Sequence, residues 1–323
     1  MKKHVIIASS SFENSTDRVM EWIDYYGGKP TRINALDDFF YGEFSLSFEK
    51  KKDPVSIWFR RTDRQGEIPK VDEKHVHKSQ TFKKGRVKNV VKSLELEMKQ
   101  DNASLAYHFW KSFDVTQSVG SLANSVPDKL GQLRVAISLG IDVPSTTITN
   151  SRRELLKFYS QHANGIINKS IGDSFMVTYE ETTYSMFTEE VPLEMINDLP
   201  EVFCRSLFQE KLDKEFEVRS FFLKGEFYSM AIFSQKDTQT TVDFRRYNVD
   251  VPNRISRCLL PEELEEKTRK LMERLKLDTG SIDFVKTKDG RWVYLEVNPV
   301  GQFGMVSQPC NYQLERKIAE KLL

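Results

Sequence analysis

The stretch "SIDFVKTKDGRWVYLEVNPVGQF", residues 281–303, carries three oxygen-bearing side chains at a spacing that suggests chemistry. Asp289-Gly290 is a hairpin signal, and the runs on either side of it read as antiparallel strands. Folded that way, Asp283 on one strand falls within a residue or so of Glu296 on the other, and Glu296 and Asn298, two apart, share a face. Carboxylate and amide oxygens suit a hard cation such as Mg²⁺, with phosphate oxygens and waters completing its octahedron. The alternative for Glu-x-Asn at a strand end is a pair of polar residues satisfied by solvent. Asp283 across the hairpin strengthens the metal reading.

A Mg²⁺-phosphate site also needs positive charge, and the chain offers it in separate places. Lys129 opens a helix, where a base is unfavourable unless an anion meets it. Lys169 ends the apolar run "GIIN", so its stem can be buried and its ammonium aimed into a cleft. Arg219 sits inward on the apolar strand "EFEVRSFF" and needs an anionic partner there. Arg245 and Arg246 follow Asp243 in "VDFRRYN". Each base alone would read as a surface charge or a structural ion pair; as a set, with three oxygen donors, they describe an anion site.

These residues need elements to hold them. The first hundred or so residues alternate short strands ("HVIIAS", "PTRIN", "VSIWFRR") with helices such as "DRVMEWIDYYGG", which predicts a small parallel sheet with helices on its faces. In "KKGRVKNVVKSLELEMK" the apolar residues Val87, Val90, Val91, Leu94 and Met98 recur at helical spacing, so the lysines form the solvated face of a helix. Further on, "PDKLGQLRVAISLG" is a helix, "FMVTYEETTYSMFTEEV" a hairpin, and "PEELEEKTRKLMERL" a helix with acids in its first turn and bases in its last.

Composition narrows the class. Within 323 residues, 39% hydrophobic and 29% charged residues fit two to three domains with real cores. Lysine and arginine (48) nearly cancel aspartate and glutamate (47), which gives no electrostatic case for nucleic acid or an anionic membrane. Cys204, Cys258 and Cys310 are scattered, which fits a reducing compartment. The four-residue apolar run in "MKKHVIIASS" is far shorter than a signal-peptide core, so a soluble, cytoplasmic protein is expected.

In their order along residues 118 to 310, "PDKLGQLRVAISLGIDVPSTTIT", "IINKS", "FQEKLDKEFEVRSFFLKGEF", "VDFRRY", "SIDFV" and "YLEVNPVGQF" make the chain resemble the ATP-grasp ligases. Within these it resembles the peptide maturases of graspetide (microviridin-type) biosynthesis, relatives of the ribosomal-protein glutamate ligases. The resemblance implies an α/β (α+β), three-domain ATP-grasp fold: a parallel-sheet N-terminal domain over 1–117, a central domain over 118–203 with a leader-docking hairpin, and a C-terminal domain over 204–323 with the Mg²⁺ site, the last two clasping ATP. It implies that Lys129 and Lys169 hold ATP phosphates and that Gln209, Glu210, Lys211 and Leu212 form the hinge that meets adenine. Glu217 would take the ribose hydroxyls, and Arg219 and Arg245 would meet the γ-phosphate and an acyl phosphate. Asp283, Glu296 and Asn298 would hold two Mg²⁺ ions. Ser170 stands where the family commonly has proline, and Glu217 where many relatives have aspartate.

The implied activity is ADP-forming. Glu or Asp side chains of a ribosomally made precursor peptide are activated and joined to Ser or Thr hydroxyls or Lys amines, as ester or amide crosslinks. The leader would dock near "FMVTYEETTYSMFTEEVPLEMINDLP", where Tyr179, Tyr184 and Phe187 are either contacts for it or core residues, and the enzyme would be a homodimer. The alternatives are an ATP-grasp ligase for an amino acid, dipeptide or protein C-terminus, and a non-catalytic nucleotide-binding protein of the same fold.

Overall fold

Val5, Ile6, Ile7 and Ala8 are each at most 3% exposed. A strand covered on both faces in a parallel sheet requires such an unbroken apolar run. The computed structural model describes residues 3–10, 13–34, 54–61, 84–122, 128–172, 176–179, 182–185, 188–235 and 252–323. The chain divides into two compact units, Met1–Ser125 with Glu315–Leu323, and Val126–Leu314.

In the first unit, β1 (His4–Ser9), β2 (Lys29–Asn34), β3 (Val55–Phe59) and β4 (Val115–Val119) form a parallel sheet in the order β2-β1-β3-β4. Helix α1 (Asn14–Tyr25) buries Thr16, Val19 and Ile23, one stripe at helical spacing. Helix α2 (Lys84–Lys111) extends well past Met98, and its Trp110 packs with Ile6, Ala8, Val55 and Ile57. Where β1 and β3 end, the Arg60 and Arg61 N–H groups both donate to the Ala8 carbonyl. Glu13 then accepts from Arg60 Nη2 at 3.1 Å and Arg61 Nε at 2.7 Å.

In the second unit, α3 (Lys129–Ser138) precedes β5 (Thr146–Ser151) and α4 (Arg152–Ser160), whose first turn is capped by the Ser151 hydroxyl accepting Glu154 N–H. β6 (Ile166–Lys169), the hairpin β7 (Met176–Tyr179) and β8 (Thr182–Ser185), β9 (Glu189–Val191), α5 (Leu193–Asp198) and β10 (Val202–Glu210) follow. An antiparallel sheet β5-β10-β6-β9 is packed by Leu155 and Phe158 of α4 and Ile196 of α5.

Next come β11 (Lys214–Leu223), β12 (Glu226–Phe233), β13 (Arg254–Cys258), α6 (Glu262–Arg274), β14 (Thr279–Thr287), β15 (Trp292–Asn298) and α7 (Gly304–Ser307). They build a second antiparallel sheet, β13-β12-β11-β14-β15. On one face of it, Val218, Phe222, Ile282, Phe284, Tyr294 and Val297 meet Leu133 and Ala136 of α3 and Leu264, Leu271 and Met272 of α6. That dry face leaves the other free for polar side chains. Among the described residues no helix is long and apolar enough to cross a membrane.

The Glu13 network gives the first unit a pH signature. Burial works against the charged carboxylate, but the Arg60 charge with the Ser15 and Arg61 hydrogen bonds outweighs it and lowers the pKa from 4.5 to about 2. The folded state therefore holds the ionised form more tightly than the unfolded chain does. That stability is complete above the unfolded carboxylate's range and drains as pH falls through about 2. Thermal melts between these limits should show wild type losing stability with acid more steeply than Glu13→Gln; equal slopes would contradict the network's role.

Candidate functional site

β14 and β15 pair Ser281 with Asn298, Ile282 with Val297 and Asp283 with Glu296; one step on, Phe284 pairs with Tyr294. The skipped residue, Leu295, is a β-bulge. Trp292, Tyr294 and Val297 pack in the core, whereas Leu295 and Glu296 both line a cleft. Strict alternation would have put Tyr294 on the same face as Glu296. The bulge lets β15 close the core with tyrosine and still present a carboxylate beside Asp283.

On the other side of Asp283 its register partner is Arg219 of β11. The guanidinium holds the carboxylate with two bonds, Nε to Oδ1 at 2.8 Å and Nη2 to Oδ2 at 2.7 Å, and both side chains are largely buried. Beyond β15, Lys129 at the start of α3 brings its ammonium to 3.8 Å from Glu296 and donates to the Ser170 hydroxyl at 3.4 Å. A base in a helix's first turn thus meets an anion, as its placement demands. Across the sheet the charges run Arg219, Asp283, Glu296, Lys129.

The cleft has a volume of about 400 Å³ and is floored by Ile232, Val285 and Leu295. That is the size and polarity of a site for one small organic ligand. Lys169, Gln209, Glu210, Lys211, Leu212 and Glu217 line it, together with Arg219, Asp283 and Glu296. The hinge side chains are already engaged. Gln209 Nε2 donates to Thr146 Oγ1 at 3.0 Å, Glu210 Oε1 accepts Ser145 N–H at 3.0 Å, and Lys211 pairs with Glu190 at 2.6 Å. What this link offers a ligand is therefore backbone and the Leu212 side chain. Glu217 is buried and accepts Lys214 Nζ at 2.5 Å and Ser234 Oγ at 3.1 Å. Burial raises its pKa, against the pull of Lys214.

The structure thus brings nine of the sequence-derived residues to one cleft, with Lys129 at its edge through Glu296. Asn298 stands apart: it is exposed, and its Oδ1 accepts the N–H groups of Val300 at 3.1 Å and Gly301 at 3.2 Å. This turn is pressed against β14, since a Cβ on Gly301 (φ +48) would sit 2.8 Å from Ser281 N. Arg245, with Asp243 and Arg246, lies outside the described residues, as do Phe187 and the side chains of Tyr179 and Tyr184. As donors for Mg²⁺, the side-by-side carboxylates fit: all-oxygen ligands, both lining the cleft. Asn298 fits with an oxygen that already serves the turn.

Sequence reasoning missed Lys214 and the apolar floor. Lys214 and Glu217, three apart, would point to opposite faces of a regular strand, but the register shifts between Lys214 and Phe216 and lets them meet. Such a shift leaves no trace in the alternation of residue types.

No protein-family model matches the sequence, and no curated protein matches it. Solved structures do match in fold. A RiPP-associated ATP-grasp ligase of Chryseobacterium gregarium, solved with ADP and a leader and core peptide, is similar over 100% of this chain and 96% of its own, at 22% identity and a TM-score of 0.78. The macrocyclase MdnC of Microcystis aeruginosa MRC, bound with precursor peptide MdnA, covers 99% of both chains at 24% identity and a TM-score of 0.72. The macrocyclase MdnB of the same organism covers 100% and 99% at 22% identity, also with a TM-score of 0.72. The fold of this chain is that of the ATP-grasp ligases.

The row makes a testable claim about stability. Arg219→Ala leaves Asp283 uncompensated beside Glu296 and should cost about 3 kcal/mol in urea unfolding. Adding Asp283→Asn should recover part of that loss; additive losses would mean the two side chains do not compensate each other.

Proposed function

We propose that this protein is an ATP-dependent ligase that crosslinks a ribosomally made precursor peptide. The observation that carries this reading is the juxtaposition of the charge row with a nucleotide-sized cleft, in a chain whose whole length follows the fold of peptide-bound ATP-grasp ligases. On this reading the two sheets of the second unit, β5-β10-β6-β9 and β13-β12-β11-β14-β15, are the cores of the central and C-terminal domains, with the boundary after β10 rather than at 203. The purine enters between the Glu210–Leu212 link and the floor of Ile232 and Val285, and Glu217 faces the ribose. Lys129 and Lys169 hold phosphates. When bound, Mg²⁺ supplies neutralisation of the triphosphate at Asp283, Glu296 and Asn298.

Arg219 and Arg245 lower the repulsion as a Glu or Asp carboxylate of the peptide attacks the γ-phosphorus, giving an acyl phosphate and ADP. A Ser or Thr hydroxyl, or a Lys amine, of the same peptide then attacks the acyl carbon, and phosphate leaves with formation of an ester or amide. Little covalent work falls to the protein. Positioning both side chains in one cleft contributes on the order of 7 kcal/mol or more, and each donor to the developing charge about 3 kcal/mol. The leader docks at the β7–β8 hairpin and α5, and the enzyme works as a homodimer in the cytoplasm.

Incubation of the protein with ATP, Mg²⁺ and a Thr-, Ser- and Glu-containing precursor peptide should give ADP and a product lighter by one water mass per crosslink. Asn298→Ala should stay folded and lose a hundredfold or so in ADP release. Joining of a free amino acid instead, with gain of mass, would favour the small-substrate ligase; wild-type turnover in Asn298→Ala would remove that residue from the site.

A further inference from the structure

Gln132 is only 3% exposed and lies one helical turn from Lys129. β15 is the edge strand of its sheet. On its outer side, at Val297, the Gln132 amide stands where a neighbouring strand would. Nε2 donates to the Val297 carbonyl at 3.0 Å, and Oε1 accepts the Val297 N–H at 2.9 Å. Oε1 also accepts the Tyr294 hydroxyl at 3.0 Å. Two donors converge on the oxygen and one acceptor on the nitrogen, so the amide has only one workable orientation.

Val297 lies between Glu296 and Asn298, and Lys129 lies three residues before Gln132 on the same helix. The Asp128 carboxylate, accepting Gly131 N–H at 2.9 Å, fixes the helix start that carries them both. We propose that Gln132 is a positioning residue: its two bonds to Val297 lock the end of β15 to the first turn of α3 and so set the distance between Lys129 and Glu296. This rests on the functional reading above, in which Glu296 meets a divalent cation and Lys129 a phosphate.

The test uses the full chain saturated with ADP, with Mn²⁺ as a paramagnetic probe titrated by electron paramagnetic resonance, alongside thermal melts. Gln132→Met removes all three bonds at similar length, whereas Tyr294→Phe removes one and leaves both Val297 bonds. Gln132→Met should weaken Mn²⁺ binding about tenfold, as loss of a group that orients a metal ligand does. Tyr294→Phe should lower the melting temperature without shifting the Mn²⁺ titration. Lys129→Met combined with Gln132→Met should lose less than the sum of the two. Wild-type Mn²⁺ affinity in Gln132→Met, or an equal loss in Tyr294→Phe, overturns the positioning role. If Gln132→Met does not fold, Gln132→Asn, whose amide is one methylene shorter and draws back from Val297, is judged by the same two outcomes. A wild-type chain that binds no Mn²⁺ with ADP refutes the functional reading and this inference together, whereas binding unaffected by the variants refutes this inference alone.

Discussion

Two carboxylates on neighbouring strands, directly opposite one another, are the constraint from which the rest of the second unit follows. Asp283 and Glu296 are register partners. At the roughly 5 Å that separates opposed side chains, their repulsion is on the order of 3 kcal/mol at an effective dielectric constant near 20. Sheets ordinarily avoid such a pair. Here it is held by Arg219 on one flank and Lys129 on the other, and by a core on the reverse face that fixes the strands regardless of what the cleft face carries. A site arranged this way has negative charge at its centre and positive charge at its margins, the pattern that suits a cation bridging to an anion.

The two faces of β11 and β14 divide the work. Val218, Phe222, Ile282 and Phe284 supply apolar burial, while Glu217, Arg219 and Asp283 on the alternate positions line the cleft. Because alternation ties the two sets together, a one-residue slip of β14 would send Asp283 into the core and Phe284 into the cleft. The register that buries the phenylalanine is thus also the register that assembles the charges. Stability and site geometry rest on the same pairing.

Much of this was legible beforehand because it depends on local chemistry. The Asp289-Gly290 hairpin and Lys129 at a helix start are each written in a few adjacent residues, and the structure has both of them. The bulge at Leu295 was not legible, since an extra residue in a strand of Val, Tyr, Leu and Val changes no residue type that a reader could notice. Nor was the partner of Arg219, 64 residues away, or that of Gln132, 165 residues away. Arg219 announced its need for an anion by sitting on an apolar strand. Which anion it takes was decided by strand order, which a single sequence does not encode locally.

The most direct test is a structure of the chain with Mg²⁺ and ADP. The account predicts an ion bonded at about 2.1 Å to carboxylate oxygens of both Asp283 and Glu296, with the nucleotide's phosphates between it and Lys169. An ion held elsewhere, with both carboxylates turned only to Arg219 and Lys129, would contradict it.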